Sequence, residues 1–161
     1  MVPPITGGGE RAIMVPHSRM EQLEQNYQRL LDLCDALEVI ADSLPHPDAS
    51  LCLTTADALE PLVEETHDLE EYALFPVLMA SGRLELEQTV VRLRQEHISD
   101  SGTAGEVSDA LHALVAGQSP LSSDAVGYLL RAFFDSMRRH VHGEIELLRL
   151  FLPARYGTTI N

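Results

Sequence analysis

The sequence is poor in cysteine and in aromatic residues. Among 161 residues there are 2 cysteines and no tryptophan, and 5% of the residues are aromatic. Two cysteines, Cys34 and Cys52, are too few for a disulfide framework or for a zinc site built on thiolates. Cys34 also falls among apolar helix positions, so we expect both thiols to be reduced and structural.

Basic residues are scarce as well. There are 11 lysines and arginines against 25 acidic residues, and the formal net charge is −14. Nucleic acids and anionic membrane surfaces attract positive rather than negative protein surfaces, so neither is expected as a partner. The acidic residues are therefore expected to serve solubility, metal binding or cationic partners.

The sequence has no long apolar run. No stretch approaches the roughly 18 consecutive apolar residues of a membrane-spanning helix. The first residues, MVPPITGGGERAIMVP, lack the basic start and apolar block of a signal peptide. These features predict a cytoplasmic protein.

Helical periodicity dominates the chain after a short irregular start. Residues 1–16 combine three glycines with three prolines and predict a flexible N-terminal arm. Four later segments show apolar residues at three- and four-residue steps: about 18–44, 55–80, 84–115 and 123–152. Pro61 could kink the second segment or delay its start, and Ser101 to Thr103 could disturb the third.

No segment shows the alternation of a β-strand, and 45% hydrophobic residues in a chain of this length suit one domain. Four amphipathic segments with short connections predict an all-α fold, an antiparallel up-down-up-down four-helix bundle. We place the bundle at residues 17–156 and a C-terminal tail at residues 157–161.

Histidine followed four residues later by glutamate recurs along the chain. The pairs are His17 and Glu21, His67 and Glu71, His140 and Glu144, and His142 and Glu146. Residues four apart lie one turn apart on the same helix face, so each pair could direct an imidazole and a carboxylate to one point. The direction of that face decides whether a pair is buried.

Two of the pairs continue apolar stripes. His67 and Glu71 follow the line of Leu59 and Val63, and His140 and Glu144 follow the line of Phe133 and Met137. His97 shares a face with Val90 and Leu93. The set His67, Glu71, His97, His140 and Glu144 is therefore predicted to face the bundle interior.

The remaining histidines are predicted to be at the surface. His142 and Glu146 share a face with charged residues, His17 precedes the first helical stripe, His46 lies between two prolines, and His112 shares a face with polar residues.

The inward set points to a metal. A buried carboxylate without a partner costs several kcal/mol or stays protonated, and a cation beside it removes that cost. Three imidazoles and two carboxylates suit iron, manganese or zinc. A single inward histidine is more often a hydrogen-bonded core residue, so the prediction depends on the five residues acting together.

The ordered motifs resemble those of hemerythrin-like (HHE cation-binding) domains. The motifs are His67 and Glu71 followed by LFP, then Glu96-His97, then HVHGE from His140 to Glu144. The resemblance covers nearly all of the chain after Ser18. It implies a four-helix bundle with a non-haem di-iron centre, with the two glutamates commonly bridging the irons.

The first helix departs from that family pattern. The family's helix 1 histidine corresponds to a position near Asn26, in EQNYQRLLDL, where an amide replaces the imidazole. An amide oxygen is a weaker donor for Fe(II) than imidazole. A mononuclear or asymmetric site is therefore as consistent with the sequence as a di-iron centre, with one or two ions in each chain.

Three functions compete on these grounds. The resemblance implies a non-haem iron protein that binds or senses oxygen or nitric oxide, or that handles iron. A ferritin-like oxidase needs Glu-x-x-His on two helices, and only Glu64 with His67 fits. The third reading is a bundle without metal that acts as an interaction or regulatory protein, and Asn26 is its main support. The sequence identifies no protein partner.

Overall fold

The computed structural model describes residues 17–151, and their secondary structure is entirely helical. The elements are α1 (His17–Ser43), α2 (Ala49–Leu69), a π-helical turn (Glu70–Leu74), α3 (Phe75–Ala80), α4 (Leu84–Val115) and α5 (Ser123–Phe151). The second predicted helix thus corresponds to α2, the π turn and α3. The predicted arm at residues 1–16, the tail at 157–161 and positions 152–156 of the predicted bundle lie outside the described residues.

The helices pack as a four-helix bundle. Cross-helix contacts join early positions of one helix to late positions of its neighbour, as antiparallel packing requires. These contacts are Gln22 with Glu65 between α1 and α2, Ser108 with Ala56 between α4 and α2, and Arg131 with Asp42 and Arg138 with Asp35 between α5 and α1. The predicted all-α bundle is confirmed.

The core consists of the predicted apolar stripes. Leu23, Leu37, Leu59, Leu111 and Leu130, which come from all four long helical segments, are no more than 1% exposed. Each buried leucine stabilises the bundle by roughly 1.5–3 kcal/mol relative to an exposed one. Isolated helices of this composition are marginal in water, so this shared core is what holds them in the helical state.

The two doubtful helix positions are both helical. α2 begins at Ala49, where the side chain of Asp48 caps the helix by accepting a hydrogen bond from the Leu51 amide at 2.7 Å. Pro61 lies inside α2 and its side chain is exposed. α4 continues without a break through Gly102, where an added Cβ would meet no atom within 4 Å.

The π turn follows α2 directly and ends before a proline. Pro76 has no amide hydrogen, and its ring would clash with the carbonyl of Tyr72, four residues earlier, in a regular α-helix. Widening the turn at Glu70–Leu74 removes that conflict. The widened turn also rotates the residues around it relative to an ideal helix, which decides which side chains face the core.

Within residues 17–151, no helix has both the length and the apolar character needed to cross a bilayer.

Candidate metal centre

Four side chains from three sides of the bundle meet in its interior. His67 at the end of α2, Glu70 in the π turn, His97 in α4 and His140 in α5 each offer one nitrogen or oxygen atom, and these atoms all lie within 4.8 Å of one another. Glu70 is 0% exposed and His97 is 7% exposed. Such a separation is compatible with a single ion among the four atoms.

The imidazoles are held by stacking and by contacts at their outer nitrogens. The rings of His67 and His97 stack with centroids 3.9 Å apart, and Phe75 stacks on His97 at 5.4 Å. Ser101 Oγ lies 3.3 Å from Nδ1 of His67, and Asp100 Oδ2 lies 3.3 Å from Nδ1 of His140. A partner at Nδ1 leaves Nε2 as the nitrogen available to a metal.

A second carboxylate completes the cluster. Glu144 is 1% exposed, and its Oε2 lies 3.0 Å from Nε2 of His140, while its Oε1 lies 3.9 Å from Nε2 of His97. On the other side, Oε2 of Glu70 lies 2.7 Å from the same His97 nitrogen. The two glutamates therefore flank His97.

These atoms are close together but are not aligned for hydrogen bonding. Within the part of the chain that the structure describes, the following buried atoms have no hydrogen-bond partner of acceptable geometry: both carboxylate oxygens of Glu70 and of Glu144, Nε2 of His97 and both ring nitrogens of His140. Unpaired buried polar groups each cost free energy, so a cluster of this size needs a compensating group. Donors that converge without bonding one another fit a cation between them.

Electrostatics separates the members of the cluster. Burial opposes charge on all of them, but contact with Glu144 still raises the pKa of His140, and contact with His140 lowers the pKa of Glu144 to about 2. Burial, together with the neighbouring imidazoles of His97 and His140, lowers the pKa of His67 to about 3. Burial also raises the pKa of Glu70, and the nearby carboxylate of Glu144 adds to this increase. Neutral imidazole is the form that binds a metal. A cation would remove the repulsion between the two carboxylates, which explains how both could be ionised in the core.

Glu71 does not lie in this cluster, so the prediction that it faces the interior is wrong. Its side chain is 35% exposed and accepts hydrogen bonds from Arg94 at 2.9, 3.1 and 2.9 Å. The four-residue spacing from His67 assumed a regular α-helix, whereas the π turn directs Glu70 to the interior instead.

The other assigned faces agree with the structure wherever side chains are described. His142, Glu146, His46 and His112 are exposed. The side chain of His17 lies outside the described residues. Asn26 is 2% exposed, as its place in the helix 1 stripe predicts, and its Oδ1 accepts a hydrogen bond from Arg29 at 3.4 Å.

Three residues at the site were not predicted from the sequence: Glu70, Tyr27 and Asp100. Tyr27 is 1% exposed, and burial together with the nearby carboxylates of Glu70 and Glu144 raises its pKa. Like the oxygens of those carboxylates, its hydroxyl has no aligned hydrogen bond among the described residues. Asp100 follows His97 by three residues, a spacing that puts both on one helix face and could have revealed it. Nothing in the local sequence distinguishes Tyr27 from an ordinary core aromatic.

Comparison with known proteins is consistent with this cluster. A family described as hemerythrin HHE cation binding domain matches residues 19–149, which is most of the chain. No curated protein and no solved structure matches the chain.

Proposed function

The chain belongs to the hemerythrin HHE cation-binding family, and we propose that it is a non-haem iron protein whose ion is held by His67, Glu70, His97, His140 and Glu144. The observation that carries the proposal is the convergence of buried nitrogen and oxygen atoms that have no aligned hydrogen bonds. This ligand set keeps four of the residues chosen from the sequence and replaces Glu71 with Glu70.

The donor set favours a first-row transition metal. Mixed imidazole and carboxylate ligands suit iron, and manganese and zinc remain chemically compatible with them. When bound, iron supplies an open coordination position for a small ligand. We propose that this ligand is a small molecule such as oxygen or nitric oxide, bound or sensed, or that the protein handles iron itself.

The first helix favours one tightly held ion over two. Asn26 offers an amide that already accepts a hydrogen bond from Arg29, and the neighbouring group that reaches the carboxylates is the phenol of Tyr27. No imidazole from the described part of α1 joins the cluster. A second ion would therefore lack a strong nitrogen donor on this side of the bundle.

The chain's own residues prepare the site for this role. Phe75 and Leu93 are no more than 3% exposed. Phe75 stacks on His97, and Leu93 lines a cavity together with His140 and Glu144. Oδ2 of Asp100 lies 3.3 Å from Nδ1 of His140, near enough to orient the ring if the two atoms align when a metal binds. Outer contacts of this kind commonly change metal affinity by about 10–100-fold.

Metal content tests the proposal directly. Protein purified without added metal, then reconstituted anaerobically with Fe(II), is expected to retain about one iron per chain after desalting. His140→Ala should lose the iron, while His142→Ala, with the same change two residues away on the exposed face, should keep it. Helical circular dichroism of both variants shows that the bundle has folded. Iron absent from the unmodified protein, or equal losses in both variants, would contradict the proposal.

The alternative is a metal-free bundle that acts as an interaction or regulatory protein. Asn26 favours it, because an amide replaces an imidazole at the expected helix 1 position. A metal that binds only the folded state raises the melting temperature. A melting temperature that responds neither to chelator nor to added iron, manganese or zinc would select this alternative.

A further inference from the structure

One face of α4 carries large apolar side chains that the bundle does not bury. Leu84, Val91 and Ile98 are 63%, 57% and 78% exposed. Because they are seven residues apart, they lie within about 40° of one another around the helix and form a row along roughly four turns, here termed the α4 stripe. Single exposed apolar residues are normal on a protein surface, whereas a row at this spacing is typical of a helix that packs against another helix.

The other long helices carry no such row in the part of the chain that the structure describes. α1 and α2 each have one exposed large apolar side chain, Val39 and Leu53. On α5, the exposed side chains of Tyr128 and Leu150 are about six turns apart. An unburied apolar row within residues 17–151 is therefore a property of α4 alone.

The residues beside the α4 stripe fit a second copy of the same helix. Glu87 and Arg94 lie on one flank, four residues before and three residues after Val91. In an antiparallel pair with a two-fold axis at Val91, each flank meets the same flank of the other copy and the heights along the helix are reversed. Glu87 of each copy would then lie opposite Arg94 of the other. On the second flank, Gln88 and Gln95 would meet in the same way as two neutral amides that can hydrogen-bond.

Both charged groups have capacity for this contact. Arg94 donates to Glu71 through its Nε and Nη2 atoms, and its Nη1 atom has no partner among the described residues. Glu87 likewise has no ion pair or hydrogen bond from its side chain to any residue within 17–151. In a parallel pair, each of these charges would face a glutamine instead. Opposite charges are therefore paired only in the antiparallel arrangement.

We propose that α4 is a homodimerisation surface, on which two copies of the chain pack antiparallel along the α4 stripe. Val91 would meet Val91 at the two-fold axis, and Leu84 would meet Ile98 of the other copy. A contact along four turns of one helix is smaller than the roughly 1,200–2,000 Å² buried in stable complexes. The dimer is therefore expected to be reversible, with a dissociation constant on the order of 10–100 µM.

The proposed contact lies beside the candidate metal centre. Arg94 and Ile98 line an opening between α2 and α4 that also reaches His67 and His97. A second copy packed on Ile98 would cover part of this opening. The contact uses none of the residues assigned to the metal, so it can be tested on protein with or without bound metal.

Sedimentation equilibrium of the full chain at about 1–300 µM tests the dimer and is expected to show a reversible monomer–dimer equilibrium. Val91→Glu places two like charges at the axis and should raise the dissociation constant at least about tenfold. Val39→Glu, the same change at a residue of α1 that is 54% exposed, is the matched control and should leave it unchanged within about twofold. A chain that stays monomeric throughout this range, or equal effects of the two substitutions, would overturn the proposal.

The charge pair is tested by Glu87→Arg, which would bring two arginines together at each end of the contact. It should weaken dimerisation at least about fivefold at low salt, and the effect should shrink at about 1 M salt. Glu85→Arg, two residues away and outside this flank, is the control for the change in net charge. Equal effects of both substitutions at low salt would contradict the assigned pair.

Disulfide cross-linking tests the orientation. Leu84→Cys and Ile98→Cys each introduce one surface thiol, while the native Cys34 and Cys52 are 1% and 0% exposed. In an oxidised mixture of the two variants, dimers with one chain of each should form at least about tenfold faster than either variant cross-links alone, because only the mixed pair brings the thiols within disulfide reach. Intact mass identifies the pairs. Equally fast cross-linking within each separate variant would overturn the antiparallel arrangement.

Discussion

Glu70 and Glu71 are adjacent in the sequence but face opposite environments. Glu70 is 0% exposed and its Oε2 lies 2.7 Å from Nε2 of His97, whereas Glu71 forms a bidentate ion pair with Arg94 at the surface. Both residues lie in the π turn, where their side chains point in different directions. The glutamate that a regular helix would bring to the site is thus at the surface.

Substitution of each glutamate in turn tests this arrangement. Glu70→Gln should weaken metal binding by at least about tenfold, because it removes a charged donor from the buried cluster. Glu71→Gln is the matched control and should bind metal within about twofold of the unmodified protein. Metal affinity measured by competition with a chromogenic chelator decides between them. A larger loss in Glu71→Gln would show that the metal-bound protein uses the regular helical register.

Tyr27→Phe tests the phenol beside the two carboxylates. Without metal, its loss removes a hydroxyl that lies near the carboxylates of Glu70 and Glu144 without an aligned hydrogen bond to either, and we expect the free energy of unfolding to fall by about 1 kcal/mol. Tyr128→Phe, at a position that is 76% exposed, should change it by less than about 0.5 kcal/mol. Urea denaturation of the metal-free proteins gives both values. Equal effects of the two substitutions would show that the Tyr27 hydroxyl does not contribute to the site.

Neither thiol should react with thiol reagents in the native protein. Burial raises the pKa of Cys34 to about 12, and it also raises the pKa of Cys52. At pH 8 only about one Cys34 side chain in 10⁴ is then ionised. We expect neither thiol to react with an aromatic disulfide reagent until the bundle opens, and both to react at once in denaturant. Rapid reaction of either thiol without denaturant would contradict their burial.

His112 should make a small pH-dependent contribution to stability. Its Nε2 lies 2.8 Å from Oδ1 of Asp57, and this contact raises the pKa of His112, with a further contribution from the Ser108 carbonyl. A raised folded-state pKa means that the contribution is fully present below the unfolded pKa, near 6.5, and is lost as the pH rises through the folded pKa. Both side chains are largely exposed, so the contribution is at most about 1 kcal/mol.

Unfolding of His112→Gln and the unmodified protein between pH 5 and 9 measures this contribution. The difference in free energy should be largest at the acidic end and should disappear at the alkaline end. His142→Gln, an exposed histidine on α5, is the control. A difference that grows with pH would contradict the assigned direction.

The sequence alone determined the helices and the inward histidines. Periodicity of apolar residues at three- and four-residue steps reports the buried face of a regular helix, and it located α4 at 84–115 as the structure has it. The same periodicity placed His67, His97 and His140 on buried faces, because each belongs to a stripe that extends over several turns. Because each stripe extends over several turns, an error of one or two residues in a predicted helix end does not change which side chains are assigned to the buried face.

Only the tertiary structure decided which carboxylates meet those histidines. The spacing rule that selected Glu71 assumes about 3.6 residues per turn. The single π turn before Pro76 breaks that assumption, so Glu70 rather than Glu71 faces the histidines. Tyr27 reaches the site from α1, and the contact of Asp100 on α4 with His140 on α5 depends on how closely those two helices pack. Local periodicity contains no information on such distances, because they arise from the packing of side chains that are far apart in the chain.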